Sequence, residues 1–186
     1  MNTKEKCGLC NRKTTVKLAY SAHNFCDKHF LEYIEKRIRK EIRDYKLNTK
    51  KKYGIKKTNN HEYELTKYFL EKAFNNMLKI EDSEKGEIIP TSLDKEINTF
   101  LKIFIENKSL DITKIKPLRA VTDYEQKELC RILGLKYKNT TEKIPHLEEL
   151  EENHPGTKFS VLKSLKSYEE NLKKHSFKSV KVPIKE

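Results

Sequence analysis

Tryptophan is absent from this chain of 186 residues, and glycine, proline and cysteine are scarce, with five, five and four residues. Four cysteines in 186 residues, three of them within the first 26, are few for a secreted domain that disulfides stabilise. No apolar run approaches the length that spans a bilayer, which excludes a membrane-spanning helix. The initial Met-Asn-Thr-Lys lacks the apolar stretch of a signal peptide, so we expect a cytoplasmic protein with no membrane partner.

Acidic residues are also comparatively few. They number 28 against 40 basic residues, which gives a formal net charge of +12 at pH 7. This imbalance predicts an anionic partner, and nucleic acid is the first candidate. Charged residues make up 37% and hydrophobic residues 35% of the chain. The composition is polar, but isoleucine, leucine, phenylalanine and tyrosine recur at regular spacing, which indicates a folded domain and not a disordered tract.

The cysteines are concentrated in one motif, in which Cys7 and Cys10 are followed after fifteen residues by Cys26 and His29. A C-x2-C pair and a C-x2-H pair at this distance have the spacing of a structural zinc site. Four ligands complete a tetrahedron and leave no open position, so we expect the metal to hold structure and not to catalyse. Spacing alone does not separate zinc from iron, although three thiolates and an imidazole favour zinc. The alternatives are clustered free thiols, or a different ligand in His23, which we interpret as a turn residue.

A strongly basic segment follows this motif directly. Between residues 36 and 57, eleven basic residues are accompanied by only two acidic ones, and apolar residues recur at helical spacing from Phe30 to Tyr45. Such a concentration of one charge predicts a phosphate-binding surface, and an ordinary solvated helix face is the alternative. Tyr45 and Tyr53 could stack on bases, although Tyr45 fits the apolar face better. The candidate nucleic-acid contacts are Lys36, Arg37, Arg39, Lys40, Arg43, Lys50, Lys51 and Lys52.

The chain divides into four predicted parts. A zinc finger with its basic helix occupies 1–46, a basic linker 47–60, a mostly helical body 61–175 and a flexible basic tail 176–186. The predicted fold class is mainly α, with a small N-terminal β-hairpin zinc finger and a residual fragment of short parallel strands.

Periodicity and capping signals place the individual elements. Strand patterns cover 14–20, 87–90 and 112–116. Asp27 can cap the first helix, whereas Thr122 and Gly134 mark the start and the end of a later one. The remaining helical patterns cover about 61–79, about 93–107, a short segment around Leu147 and Leu150, and a last helix from Thr157.

Three segments together resemble a known family. They are 7–10 with 25–33, then 93–101 with 114–119, and finally 147–160, which contains the unusual string His-Pro-Gly-Thr-Lys-Phe. In this order they are similar to the PP-loop ATP pyrophosphatases that 2-thiolate tRNA uridines, in the archaeal and eukaryotic cytoplasmic branch. The resemblance implies an N-terminal zinc finger, a parallel-stranded ATP-binding domain and tRNA as the partner.

The chain departs from this family at the residues that do its chemistry. The family's Ser-Gly-Gly-Lys-Asp-Ser phosphate loop is missing, because the segment from Tyr45 to Asn60 has one glycine. The second acidic position of its Gly-His-Asn-Leu-Asp-Asp stretch is Lys95 here. The resemblance places catalytic cysteines near His61 and near Thr140, where none occurs. The family's second zinc finger is not found either, so we expect a shortened member of the family.

The remaining cysteine, Cys130, lies between apolar residues and is interpreted as a core thiol. We therefore expect a non-catalytic, zinc-binding accessory protein related to tRNA uridine 2-thiolation enzymes, with a degenerate PP-loop. Its expected partners are tRNA or another RNA, and either a full-length thiolation enzyme or a second copy of the chain. The first alternative is a free-standing zinc-finger regulator that binds nucleic acid. The second is an enzyme with another site, for which the candidate residues are His61, Asp94, His146 and His154.

Overall fold

The computed structural model describes residues 6–178, with the side chains of 6–174. Most of the predicted tail, 176–186, therefore lies outside the described residues. The architecture is mostly helical with two small strand pairs, as the sequence predicts. In chain order the elements are β1 (Val16–Lys17), β2 (Asn24–Phe25), α1 (Asp27–Asp44), β3 (Lys52–Lys56), α2 (His61–Ala73), β4 (Lys79–Ser83), α3 (Leu93–Ile105), α4 (Asp123–Leu133), α5 (Pro145–Asn153) and α6 (Thr157–Lys178).

The N-terminal part is an antiparallel hairpin that feeds into α1. β1 pairs with β2 in the register Val16 to Phe25. The predicted strand 14–20 is shorter than expected, because the chain turns where Ser21 N–H donates to the Leu18 carbonyl. The N-cap of α1 is Cys26 and not Asp27. Asp27 instead lies in the first helical turn, where a carboxylate is favourable at the positive end of the helix dipole.

A small parallel sheet forms the centre of the body. β3 pairs in parallel with β4, and single bridges extend the sheet from Ile55 to Ile88 and from Ile88 to Ile115. The strand patterns at 87–90 and 112–116 thus correspond to one bridged residue each. β3 corrects the expected linker 47–60, because Tyr53 and Ile55 are buried and alternate with exposed lysines.

The helices largely match their predicted positions. α4 has a capping box between Thr122 and Glu125, and it ends at Gly134, whose φ of 68° is left-handed. α2 and α3 end earlier than predicted, at Ala73 and Ile105. Among the described residues, no helix has the length and apolar character that crossing a membrane requires.

Two apolar clusters hold the elements together. The larger one joins the buried face of α1 to the sheet, α2 and α4, and it includes Phe30, Ile55, Phe69 and Leu129. It also contains Cys130, which confirms the core position of this thiol, and burial raises its pKa to about 11. The smaller cluster packs α3 against α5 and α6.

Candidate metal centre and nucleic-acid interface

The four predicted metal ligands converge at the start of α1. The ligand atoms of Cys7, Cys10, Cys26 and His29 all lie within 4.8 Å of one another. Cys7 Sγ is 3.3 Å and Cys26 Sγ 3.6 Å from His29 Nδ1, and the sulfurs of Cys10 and Cys26 are 3.8 Å apart. Ligands about 2.0–2.3 Å from one tetrahedral ion are separated by about 3.5–3.8 Å. The donor set therefore fits a single four-coordinate ion.

Local backbone structure prepares the Cys7 thiol to bind a cation. Burial alone would raise the pKa of Cys7, but backbone N–H groups, first that of Leu9, and the His29 ring outweigh it and lower the pKa to about 6. The turn itself is closed by Cys10 N–H, which donates to the Cys7 carbonyl. A thiolate is the form that ligates metal, so the lowered pKa favours metal binding at neutral pH.

The hairpin, the four ligands and α1 form a metal module, residues 6–44, and three contacts fix it to α4. Arg131 Nη2 lies 2.7 Å from Asp27 Oδ1 in the first turn of α1. Arg37 from the middle of α1 and Tyr20 from the hairpin both hydrogen-bond to Glu125 Oε1. These contacts hold the hairpin against the helical body.

Two of the eight candidate nucleic-acid residues have structural roles. Arg37 is not part of the exposed surface, because its guanidinium is paired with the fully buried Glu125. Arg39 donates at 3.0 Å to the carbonyls of Lys72 and Ala73, the last residues of α2, and at 2.9 Å to Glu35. The guanidinium group of Arg39 therefore caps the C-terminus of α2, where cations are favourable.

The other six candidates are exposed. Lys51 is paired with Glu87 and Lys52 with Glu81, both on the surface. The remaining four have no ion pair within the described residues, and three of them follow one stripe of α1 at helical spacing. These four are Lys36, Lys40, Arg43 and Lys50.

The two candidate stacking tyrosines are not available to bases. Tyr53 is 5% exposed and its hydroxyl accepts from Asn48 N–H. Tyr45 packs against the larger apolar cluster, in agreement with the alternative that assigned it to the helix core.

The carboxyl edge of the parallel sheet is the usual ligand position in an α/β fold. Here the helix N-termini that face this edge are capped by the chain itself. Asn60 accepts from Tyr63 N–H at the start of α2, and Ser92 accepts from Lys95 N–H at the start of α3. At α4, Asp94 Oδ2 accepts from Asp123 N–H at 2.8 Å. These caps occupy the positions at which a free helix N-terminus would bind phosphate.

The two places where the resemblance expects cysteines meet at this edge. Lys95 Nζ donates to Glu62 at 2.6 Å, next to His61, and to Thr140 at 2.7 Å. His61 is buried and its ring lies 4.6 Å from that of Tyr137. Burial, and then the Lys95 charge, lower the pKa of His61 to about 4. An ammonium group and a neutral imidazole thus stand near the expected cysteine positions.

The His-Pro-Gly-Thr-Lys-Phe string joins α6 to this region. Lys158 is buried and its ammonium lies 2.5 Å from Asp94 and 2.6 Å from Glu148. The Phe159 ring packs on Tyr20 with centroids 4.7 Å apart. Asp94 is therefore half of a buried ion pair, whereas His146 and His154 are exposed. The three do not form a common centre.

A cleft of about 610 Å³ opens beside these residues. Its walls are formed by the hairpin, the N-terminal parts of α3 and α4, the loop 137–143, α5 and the start of α6. Tyr124 and Lys127 of α4 line it, and so does Asp123. These three residues belong to no motif in the sequence, although the Thr122 cap already places Asp123 at the start of a helix.

Known proteins resemble this chain in fold and in one short stretch. No protein-family model matches it. A stretch of 45 residues, 24% of the chain, is 40% identical to tRNA-5-methyluridine(54) 2-sulfurtransferase of Pyrococcus horikoshii and spans only 14% of that protein. The fold is similar to that of the U34-tRNA thiolase NcsA from Methanococcus maripaludis, solved with its [4Fe-4S] cluster, with a TM-score of 0.71 and 17% identity over 91% of this chain and 88% of that chain. The fold of the chain is therefore similar to that of a tRNA thiolase, and a short stretch of its sequence is similar to a tRNA sulfurtransferase.

Proposed function

We propose that this chain is a zinc-binding, tRNA-binding protein related to tRNA uridine 2-thiolation enzymes, and that it does not itself thiolate RNA. One observation carries the proposal: a four-ligand metal site lies at the start of a helix with a free basic stripe, on the fold of a tRNA thiolase. The likeness to the two tRNA-modifying proteins supports tRNA as the partner. The net charge of +12 supports an anionic partner in general.

Zinc is the proposed ion because three thiolates and one imidazole match its usual structural donors. A [4Fe-4S] cluster binds one thiolate to each of four iron ions, which requires ligand sulfurs farther apart than those around one ion. The short separations between Cys7, Cys10, Cys26 and His29 therefore favour a mononuclear site. Four protein ligands leave no position for substrate, so the role of the zinc would be to fold the hairpin and start α1.

The residues at the carboxyl edge of the sheet support the proposal that the chain does not thiolate RNA. Apart from the three metal ligands, the one cysteine within the described residues is Cys130, and it is buried in the apolar core. Lys95, held by Glu62 and Thr140, occupies the place between the two expected cysteine positions. Gly54 does not serve a phosphate loop. It lies in β3, where an added Cβ would come within 3.0 Å of Ser83 Cβ and 3.3 Å of Gly86 Cα.

The proposed RNA surface is the exposed stripe of α1 with the lysine that follows it. Lys36, Lys40, Arg43 and Lys50 form its centre, because they are exposed and unpaired within residues 6–174. Lys51 and Lys52 can join it, since surface ion pairs are weak and exchange readily. Arg37 and Arg39 are left out because their donors already have structural partners.

The proposed assembly is an accessory subunit beside a full-length thiolation enzyme or a second copy of the chain. Phe104 and Ile105, at the end of α3, are 69% and 80% exposed. Large apolar side chains exposed together are common at protein contacts. Co-purification from cells, with mass spectrometry of the bound protein and RNA, would identify the partners.

Filter binding of tRNA tests the central proposal. Lys36→Glu, Lys40→Glu and Arg43→Glu together should abolish tRNA binding and leave the zinc content unchanged. The matched control reverses three exposed lysines of α6, Lys163, Lys173 and Lys174, and should bind within about threefold of the wild type, because non-contacting charges are screened beyond the Debye length. Equal affinity of both triple variants would refute the RNA surface.

A further inference from the structure

The cleft of about 610 Å³ has a size typical of sites that bind one small ligand. Three tyrosine rings border it. Tyr20 is already held, because its hydroxyl bonds to Glu125 and Arg37 and its ring packs on Phe159. Tyr124 is 48% exposed at the start of α4, and Tyr137 stands on the loop opposite, backed by the ring of His61. Half-exposed aromatic rings with a rigid backing are the surfaces on which single-stranded nucleic acids stack their bases.

The polar groups of the cleft are divided between its interior and its rim. The Asp94 carboxylate is already bound by Lys158 and by Asp123 N–H. The Asp123 carboxylate is contacted by the hydroxyl groups of Ser92 and Thr141, but a carboxylate has about four acceptor positions, so it can still accept from a ligand. Lys127 and Lys143 also line the cleft, are exposed and form no ion pair within residues 6–174. An acidic interior repels phosphate, whereas the two lysines attract it to the rim.

We infer that this cleft takes up one unstacked guanine base of a single-stranded RNA, with the adjoining phosphates on Lys127 and Lys143. The inference rests on the proposed RNA binding and adds a base-specific contact to it. Guanine presents two neighbouring donors, N1–H and the N2 amino group, on its Watson–Crick edge, and a carboxylate accepts both. Uracil presents one N–H between two carbonyl oxygens, which the same carboxylate repels.

Two other features of the cleft agree with a base in an RNA chain. Asn98 lines the cleft, and its amide nitrogen donates one hydrogen bond to the Glu142 carbonyl, so its oxygen can serve as a further acceptor. The interior thus offers acceptors to a base that is rich in donors. The rim lysines would contribute little to a free nucleoside, which has no phosphate, and they favour a base that is attached to its backbone.

Binding of short RNAs tests the inference directly. The pentamer UUGUU should bind at least about tenfold more tightly than UUUUU, measured by fluorescence anisotropy of labelled RNA at low salt. Asp123→Asn should reduce this ratio to about threefold or less, because an amide presents a donor beside its acceptor. Free guanosine should bind at least about tenfold more weakly than UUGUU, and equal binding would overturn the assignment to an RNA chain.

Stacking is tested on an exposed residue, so that a folding defect does not obscure the result. Tyr124→Ala should weaken UUGUU binding about tenfold, and Tyr124→Phe, which keeps the ring, should bind within about twofold of the wild type. Tyr168→Ala, on a half-exposed ring outside the cleft, is the matched control and should not change the affinity. A Tyr124→Ala variant with wild-type affinity would overturn the inference.

Failure of this inference differs from failure of the proposed function. Binding of tRNA that depends on Lys36, Lys40 and Arg43 but shows no guanine preference would reject the guanine site and leave the RNA surface in place. Absence of any RNA binding by the zinc-loaded protein would reject both.

Discussion

Arg37 and Glu125 form an ion pair that joins the middle of α1 to the first turn of α4. Their side chains are 18% and 0% exposed, and the same glutamate closes the capping box with Thr122. The Arg37 guanidinium also lies 5.1 Å from the ring centre of Phe159. One cation of the basic helix therefore connects the metal module, α4 and α6.

Substitution of Arg37 should lower stability, whereas substitution of its neighbour Lys36 should lower tRNA affinity. Arg37→Ala leaves a buried carboxylate without its cation, so the free energy of unfolding should fall by about 3 kcal/mol. Lys36→Ala removes an exposed charge and should change stability by less than about 0.5 kcal/mol, while it weakens tRNA binding. Urea unfolding and filter binding measure the two effects. A stable Arg37→Ala variant with weakened tRNA affinity would show that Arg37 contacts RNA after all.

This contrast shows which features the sequence can predict. Thr122, Glu125 and Gly134 define α4 because caps act within one turn of the helix, and the C-x2-C and C-x2-H spacings locate the metal ligands for the same local reason. The role of Arg37 depends on Glu125, which is 88 residues away. Helical periodicity assigns a residue to one face of a helix, but it does not reveal which distant residue packs against that face.

β3 was missed for a related reason. Its alternation, Lys52-Tyr53-Gly54-Ile55-Lys56, is short and lies within a run of lysines, so composition indicated a linker. Pairing with β4 and Ile88 stabilises the strand through long-range contacts. Propensity for β structure depends strongly on such neighbours, which a single sequence does not reveal. The sequence does not predict the cleft because its walls come from six separate parts of the chain.

Removal of one metal ligand should unfold the hairpin without unfolding the body. Cys26→Ser should lose most of the zinc, which metal analysis should find at about one ion per wild-type chain. Hydrogen exchange should then accelerate in residues 6–30, because metal binding supplies the folding energy of small modules. Cys130→Ser is the matched control, since that thiol lies in the apolar core, and its zinc content should be unchanged. Full retention of zinc by Cys26→Ser would disprove the proposed ligand set.

The isolated chain should neither bind ATP with magnesium nor thiolate tRNA. The helix N-termini at the carboxyl edge of the sheet are capped by side chains, and the segment before α2 has a single glycine, Gly54, in β3. A pyrophosphate group therefore lacks the free backbone N–H groups that would bind it. Calorimetry and a sulfur-transfer assay should both show no signal, with a full-length tRNA thiolase as the positive control. A micromolar dissociation constant for ATP would contradict the proposal.

His61 should make the folded state sensitive to acid. Its pKa in the fold is about 4, lowered by burial and by Lys95, whereas an unfolded histidine titrates near 6.5. As the pH falls from about 6.5 to 4, the unfolded chain therefore takes up a proton that the folded chain does not, and stability decreases by roughly 2–3 kcal/mol. His61→Gln should lose less stability over this range in urea unfolding. Both proteins share the metal centre, so parallel curves would exclude His61 as the cause.

The salt dependence of tRNA binding should reveal how many cations the RNA surface contributes. If Lys36, Lys40, Arg43, Lys50 and about one more cation each displace a counterion from phosphate, affinity should fall with a log–log slope near −4. Arg43→Gln should reduce the slope by about one, because the site then loses one phosphate contact. Arg39→Gln should leave the slope unchanged, since Arg39 binds the carbonyls at the end of α2, although it should lower stability. Filter binding between about 50 and 200 mM monovalent salt measures all three slopes. A salt-insensitive affinity would mean that the basic stripe is an ordinary solvated helix face.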